Sequence, residues 1–502
     1  LTTSQTARAE TLALQPTAGC GTLESPWTGW EAALERPCDG AHRAFLPAPG
    51  FYGVERPVRL ADHVELASPA GRSDGPWFLP VAGRAPLETL FLVDGSRDVA
   101  LGGLRLNGRG KGARHGVIVR GGSGFHLTGA HLEDFEDGAG AAVLVEGESA
   151  QHASRGIVVQ SCWFLNGSVA VRLGRHASDL LVDDNRFEEI TGPAIQADPR
   201  DEWIDYGLIV ARNRMRNARS RRTAAFVVLA AGAEGVRLAE NSCEVENAGN
   251  ASGPAGFEIH GGGPVSRRRV ELLLNRFVGI PGPGIRAQRC GPGFVAAGNQ
   301  LVQCGAADAP AIDLRGSHRV LIEDNEIAEP GGPGIRLRDC ARVRLNGNEI
   351  QGGSRGLPRG GSVGVLVEGG GSKRLRLTDN RIRCVKDDGL RIEWCAGARV
   401  VGNEVEDCGG GIRASRGTSL LLVGNDCRDN GNGGIVVADA VRRGFVALNY
   451  AILNGSSDLE VRGEAIRCRA NKVDRGTFPR EDAPGGARRG RTRPGGRPSN
   501  EG

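Results

Sequence analysis

The sequence predicts an all-β solenoid, a parallel β-helix of about 15 coils behind a short N-terminal capping helix. Three observations predict it. An asparagine motif recurs through much of the chain, short alternating strands precede it, and bulky side chains are too few for a thick core. The 502 residues include 78 Gly but only 14 Phe, 6 Trp, 3 Tyr and 1 Met. At 39% apolar, the chain still has enough Val, Ile, Leu and Ala for a long, thin core, which suits a repeated architecture.

Residues 1–43 read as a leader that ends in a capping helix, with Trp30-Glu31-Ala32-Ala33-Leu34 as its amphipathic stretch. An open stack of coils exposes unpaired strand edges, so a cap is physically required. Residues 44–475 carry the repeat. An apolar pair, one or two polar residues, Asn, any residue and an apolar residue recur at Asn185, Asn213, Asn241, Asn275, Asn299, Asn325, Asn348, Asn380, Asn403, Asn425, Asn449 and Asn471. The intervals run from 22 to 34 residues, so the long members carry insertions. Before most of these asparagines lies a Gly-led strand of period two, as in Gly284-Ile285-Arg286-Ala287 and Gly334-Ile335-Arg336-Leu337. Strand anchors from Phe91 to Leu459, with Phe226 among them, count fifteen coils.

Two or three short strands per repeat fall short of a propeller blade, which needs about 40 residues, and the leucine-rich-repeat frame is not kept. One coil per repeat remains, with equivalent strands stacked in parallel roughly 4.8 Å apart. The asparagines are then expected to form a hydrogen-bonded ladder at a turn. The residue two after each, such as Phe187, Met215, Phe277 or Ile327, is expected in the core. Residues 476–502 are rich in Gly, Arg and Pro and are expected to be disordered.

These repeats, with the entry strand Ala44-Phe45-Leu46-Pro47-Ala48-Pro49-Gly50-Phe51-Tyr52, resemble the right-handed parallel β-helix, or pectin-lyase-like, superfamily. The resemblance implies right-handed coils and a carbohydrate-binding or sugar-cleaving protein. It settles no activity, because one fold hosts many functions.

Charge excludes some classes. Lys+Arg number 63 against 59 Asp+Glu, a net charge of +4 that is not the profile of a uniformly basic nucleic-acid binder. No run of about 18 apolar residues reads as a membrane span. No phosphate-binding Gly-rich loop, HExxH or GxSxG string occurs, and no Cys/His cluster has zinc spacing. Of the 12 Cys, Cys20 and Cys38 flank the leader, and Cys384 and Cys408 fall on adjacent coils, where pairing is open.

Aligning the strands gives two outward columns. The first runs Arg172, Gln196, Val227, Glu258, Arg286, Asp313, Arg336, Leu366, Arg391, Arg413. The second runs Glu146, Gly174, Asp198, Leu229, His260, Gln288, Arg315, Arg338, Glu368, Glu393, Ser415. A polysaccharide advances on the order of 5 Å per sugar, close to the rung spacing, so Arg286, Gln288, Arg315, Arg336, Arg338, Arg391 and Arg413 are candidate substrate-binding residues. A solvated face interrupted by Asp313, Glu368 and Glu393 is the competing reading. His260, beside Glu258, is the candidate base.

The loop from Asp198 to Tyr206 carries Asp198, Asp201, Glu202 and Asp205, four carboxylates suited to Ca²⁺ as a cofactor or, through Asp198 and Asp201, to acid–base work. Its Asp198-Pro199-Arg200-Asp201 is similar to the DPHD motif of mannuronan C5-epimerases, with Arg200 in place of the histidine. Asp387-Asp388 resembles the aspartate pair of polygalacturonases and is expected in the turn before Gly389. The expected function is a lyase or epimerase acting on an acidic polysaccharide. The alternative is a non-catalytic glycan- or protein-binding surface built on the outward Arg column. An extracellular or cell-envelope monomer with no specific nucleic-acid partner completes the expectation.

Overall fold

In the first sheet of the computed structural model, one residue per coil forms an unbroken buried file. It runs Phe91, Val117, Val143, Val171, Ile195, Val227, Phe257, Ile285, Ile312, Ile335, Val365, Leu390, Ile412, Ile435 and Leu459. That file is the first wall of a right-handed parallel β-helix of about 15 coils. The structure describes residues 10–14, 18, 22–36, 42–69, 74–136, 138, 140–198, 207–217, 224–230, 232, 235–246, 253–261, 269–353 and 362–477.

Each coil turns through three strands. In one of them these are Ile285–Gln288, Phe294–Ala297 and Gln300–Val302. Each strand pairs in parallel with its counterpart one coil away, which yields a first, a second and a third sheet. Alternation sends one side chain inward and the next outward, so each sheet has one core face and one solvent face. The first and second sheets join near the C-terminal end, where Gly410–Val423 and Gly433–Ala447 each run through both.

The corner between the second and third strands is the most regular part. All twelve repeat asparagines stand there, and the first eleven each donate the side-chain Nδ2 to the Oδ1 of the next at 2.8–3.0 Å, while Asn471 closes the series on Val446 O. The Oδ1 of Asn299 also accepts the backbone N–H of Asn275, and its Nδ2 reaches Leu272 O. Buried amides need such partners, and the ladder supplies them. The residues two after, including Phe187, Met215, Phe277 and Ile327, are at most 1% exposed up to Ala451 and stack in the core as expected, while Val473 in the last coil is half-buried. Gly334 precedes its strand because a Cβ there would lie 2.7 Å from Gly364 O and Ile350 Cγ2.

The N-terminal end is closed by the helix Glu31–Glu35. Trp30 is buried against Tyr52, Phe78 and Phe91, and its Nε1 donates to Gly53 O. The leader also contributes a strand, Glu10–Ala13, which pairs with Arg43–Leu46 and extends the second sheet. At the other end Gly476–Thr477 still pairs with Leu459–Glu460; the Gly/Arg-rich tail beyond it lies outside the described residues.

One coil departs from the expected register. Val228, not Val227, aligns with Gln196 and Glu258. Val227 and Leu229 are fully buried, and Ala230 takes the outward place read for Leu229. Alternation sets register only where polar residues mark one face, and Ala224-Ala225-Phe226-Val227-Val228-Leu229 marks neither. None of the ten described cysteines is bridged. Cys384 lies against the Asp407 carboxylate rather than being joined to Cys408. Cys20 and Cys38 lie outside the described residues.

Candidate functional site

The outward face of the first sheet carries the titratable side chains expected there. The strand Phe257–His260 alternates so that Phe257 and Ile259 enter the core and Glu258 and His260 face out. Two residues apart on one strand, they meet: His260 Nε2 lies 3.2 Å from Glu258 Oε1. The other Glu258 oxygen faces Arg286, one coil on, at 3.6 Å. In the neighbouring column Asp198, Ala230, His260, Gln288 and Arg315 follow one another, so Asp198 to Arg315 spans four rungs, about 19 Å. Asp198 is thus two rungs from His260 and makes no direct pair with it. Arg172 Nε at 2.9 Å and Gln196 Nε2 at 2.9 Å hold Asp198 instead.

Asp313 organises the next part of the face. Its side chain is fully buried although it lies in an outward column. Arg336 binds it with two nitrogens, Nε at 3.1 Å and Nη2 at 3.0 Å, and Arg315 does so at 3.0 and 2.8 Å. Burial pushes this carboxyl upward, but the hydrogen bonds and charges of Arg336 and Arg315 outweigh it and hold the group below the ordinary carboxylate range. Arg338 binds Glu368 at 2.7 Å. Asp388 begins the strand Asp388–Ile392 instead of standing in the turn before it; it is buried and receives Arg391 Nε at 2.7 Å and Arg413 Nε at 3.2 Å.

The arginine column is therefore closed by its own counter-charges. Arg286, Arg315, Arg336, Arg338, Arg391 and Arg413 share this face with Glu258, Asp313, Glu368, Asp387, Asp388 and Glu393, six cations with six anions. Arg286 is the loosest member, with carboxylates only at 3.6 and 4.0 Å. Gln288, half-buried, aligns between His260 and Arg315.

Of the four carboxylates expected to hold Ca²⁺, Asp201, Glu202 and Asp205 lie outside the described residues. Among the described residues no group of three His, Cys, Asp or Glu is placed to hold a metal ion. No helix there is long and apolar enough to cross a membrane.

Reasoning from the sequence missed the buried hubs Asp313 and Asp388. The signal was present for Asp313, which stands between Arg286 and Arg336 in its column. It also missed a second set of arginines, in the Arg-x-Arg strings before the ladder asparagines at 342–344 and 374–376.

Residues 310–466 match the family model described as right handed beta helix region. A comparison with curated proteins returns no match. Among solved structures, the chain is similar to the Azotobacter vinelandii mannuronan C-5 epimerase AlgE4 A-module, with 11% identity over 93% of this chain and 99% of that one and a TM-score of 0.39. It is similar to the Streptococcus pneumoniae surface protein and adhesin PfbA, with 14% identity over 68% and 95% of the two chains and a TM-score of 0.39. An alginate lyase from Paenibacillus sp. str. FPU-7 gives 12% identity over 71% and 98%, with a TM-score of 0.30.

Proposed function

We propose that this chain is a carbohydrate-active β-helix protein, a lyase or epimerase that acts on an acidic polysaccharide laid along the first sheet. The observation that carries the reading is the His260–Glu258 pair with Arg286 on the second carboxylate oxygen. Neutral His260 takes the proton from the carbon next to a uronate carboxylate. Glu258 orients the imidazole and stabilises the imidazolium that forms. Arg286, the guanidinium of the first-sheet column least committed to protein carboxylates, moves onto the substrate carboxylate and spreads the enolate-like charge. If the bond to the leaving sugar oxygen then breaks, a double bond forms, the oxygen leaves as a hydroxyl with a proton relayed from the imidazolium through solvent, and the reaction is elimination. If solvent water instead protonates the carbon from the opposite side and the imidazolium returns its proton to solvent, it is epimerisation. The column from Asp198 through Gln288 to Arg315 is long enough for about four sugars at roughly 5 Å each. An extracellular or cell-envelope setting belongs to this proposal, as does Ca²⁺ at the 198–205 loop.

The test is a panel of uronate polymers incubated with the full chain, with and without Ca²⁺. Elimination is read as absorbance of the unsaturated product and epimerisation by NMR. His260→Ala should lower any activity by about 10² or more. Silence across the panel, or full activity in His260→Ala, refutes the reading.

A further inference from the structure

The second sheet carries a different kind of surface. Three successive coils place an arginine at the turn that enters their second strand: Arg319, Arg342 and Arg374. One column over, Arg344, Arg376 and Arg399 align as direct strand partners. All six are exposed, and they line one open groove of about 750 Å³ that has no carboxylate in its walls. None of the six forms an ion pair with any described residue, in contrast to the first sheet.

The turn position they occupy is left-handed in other coils too, where it is held by Gly207, Gly235 and Gly293 or by Asp98, Asp179 and Ser419. Arg319, Arg342 and Arg374 hold the same conformation, with φ of 57°, 56° and 53°, where an L side chain is disfavoured. The unbalanced charge acts on its neighbour. Burial first, and then the charges of Arg319, Arg342 and Lys373, hold His318 below the usual histidine range.

We infer that this second-sheet groove is a binding site for a linear polyanionic glycan, whose sulfates or carboxylates each sit on one guanidinium rung. Two guanidinium columns at a repeat of roughly 4.8 Å match a chain whose charges recur about every 5 Å, and each fork offers a bidentate fit to an oxyanion. Between the arginines the walls are aliphatic, with Leu321 and Leu421, and contain no aromatic ring on which a nucleobase would stack. This favours a sugar polymer over a single-stranded nucleic acid. The groove lies on another sheet from His260, and its occupation requires no chemistry there.

The experiment measures binding of a fluorescent heparin fragment, a polygalacturonate fragment, neutral dextran and a single-stranded DNA of equal charge to the full chain. One or both anionic glycans should bind, dextran should not, and DNA should bind at least tenfold more weakly than the better glycan. Arg344→Ala/Arg376→Ala should weaken glycan binding at least tenfold and lower the slope of log K against log salt by about two. It should also leave the circular dichroism melt unchanged, since both side chains are exposed. Absence of glycan binding, undiminished affinity in the double variant, or DNA binding as tight as glycan binding overturns the inference. Because binding is read directly, a chain with no lyase or epimerase activity leaves the result interpretable.

Discussion

Replacing Asp313 by Asn tests whether the first sheet is held by charge. The substitution keeps the shape and removes the anion. Arg336, only 11% exposed, then faces the interior with Asp308 O at 3.1 Å and Glu368 at 3.9 Å as its remaining partners. Arg315, 39% exposed, can return to water and costs little. Breaking a buried pair from one side typically costs about 3–5 kcal/mol. The partners Arg336 retains place the expected loss near the lower end, at about 3 kcal/mol.

The sign with pH follows from the depressed folded-state value of Asp313. Its stabilisation is fully present above the unfolded value of about 3.9 and fades as pH falls through the lower folded one. Urea unfolding followed by circular dichroism should therefore show a constant gap between wild type and Asp313→Asn from about pH 5 to 8, narrowing below about pH 4. Asp313→Leu/Arg336→Met should recover much of the loss, because a buried pair can be replaced by apolar packing. A gap under about 0.5 kcal/mol at pH 7, or one that does not change with pH, would refute the reasoning.

Asn299→Ala should cost about 2–4 kcal/mol, since it strips the acceptor from the backbone and side-chain N–H of Asn275 and the donor from Leu272 O and Asn325 Oδ1; hydrogen exchange should rise most in the two adjoining coils, and uniform protection would contradict the ladder's role. Burial pushes the thiols of Cys290, Cys304 and Cys408 up to about 12, so in native protein a thiol reagent should modify half-exposed Cys384 and spare these three until urea is added. Mass mapping of the labelled peptides checks this.

The sequence made the coil legible because the ladder residue and the alternating strand are both local patterns. The asparagine donates and accepts at once, so the twelve corners from Asn185 onward carry the same letter, whereas the earlier corners hold Leu104, Ala130 and Cys162. What escaped has a physical cause in each case. The coil at 224–230 lacks polar marks, so its register slipped by one. Asp313 reads as an outward charge by alternation; its place between Arg286 and Arg336 in the column marks it as paired, and its burial comes from the arginine side chains that roof it over. The strand Glu10–Ala13 has no repeat around it and is defined only by its pairing with Arg43–Leu46. His260 and Glu258 were legible as a pair because they sit two apart on a clearly alternating strand. The free arginines were not singled out, because an arginine's partners are decided by the adjacent coils.

The ladder fixes where the chain must return, and leaves free how far it travels in between. Successive asparagines are separated by 22 to 34 residues, yet the link between them stays at 2.8–3.0 Å. Contour length is thereby uncoupled from axial length, and the solenoid works as a ruler graduated in coils of roughly 4.8 Å. Excising residues 325–347, one ladder asparagine up to the next, would remove a single graduation and leave the others in phase. The reach of any surface along the axis is accordingly counted in whole units, each close to one sugar, and lengthening or shortening that reach is a matter of adding or deleting coils.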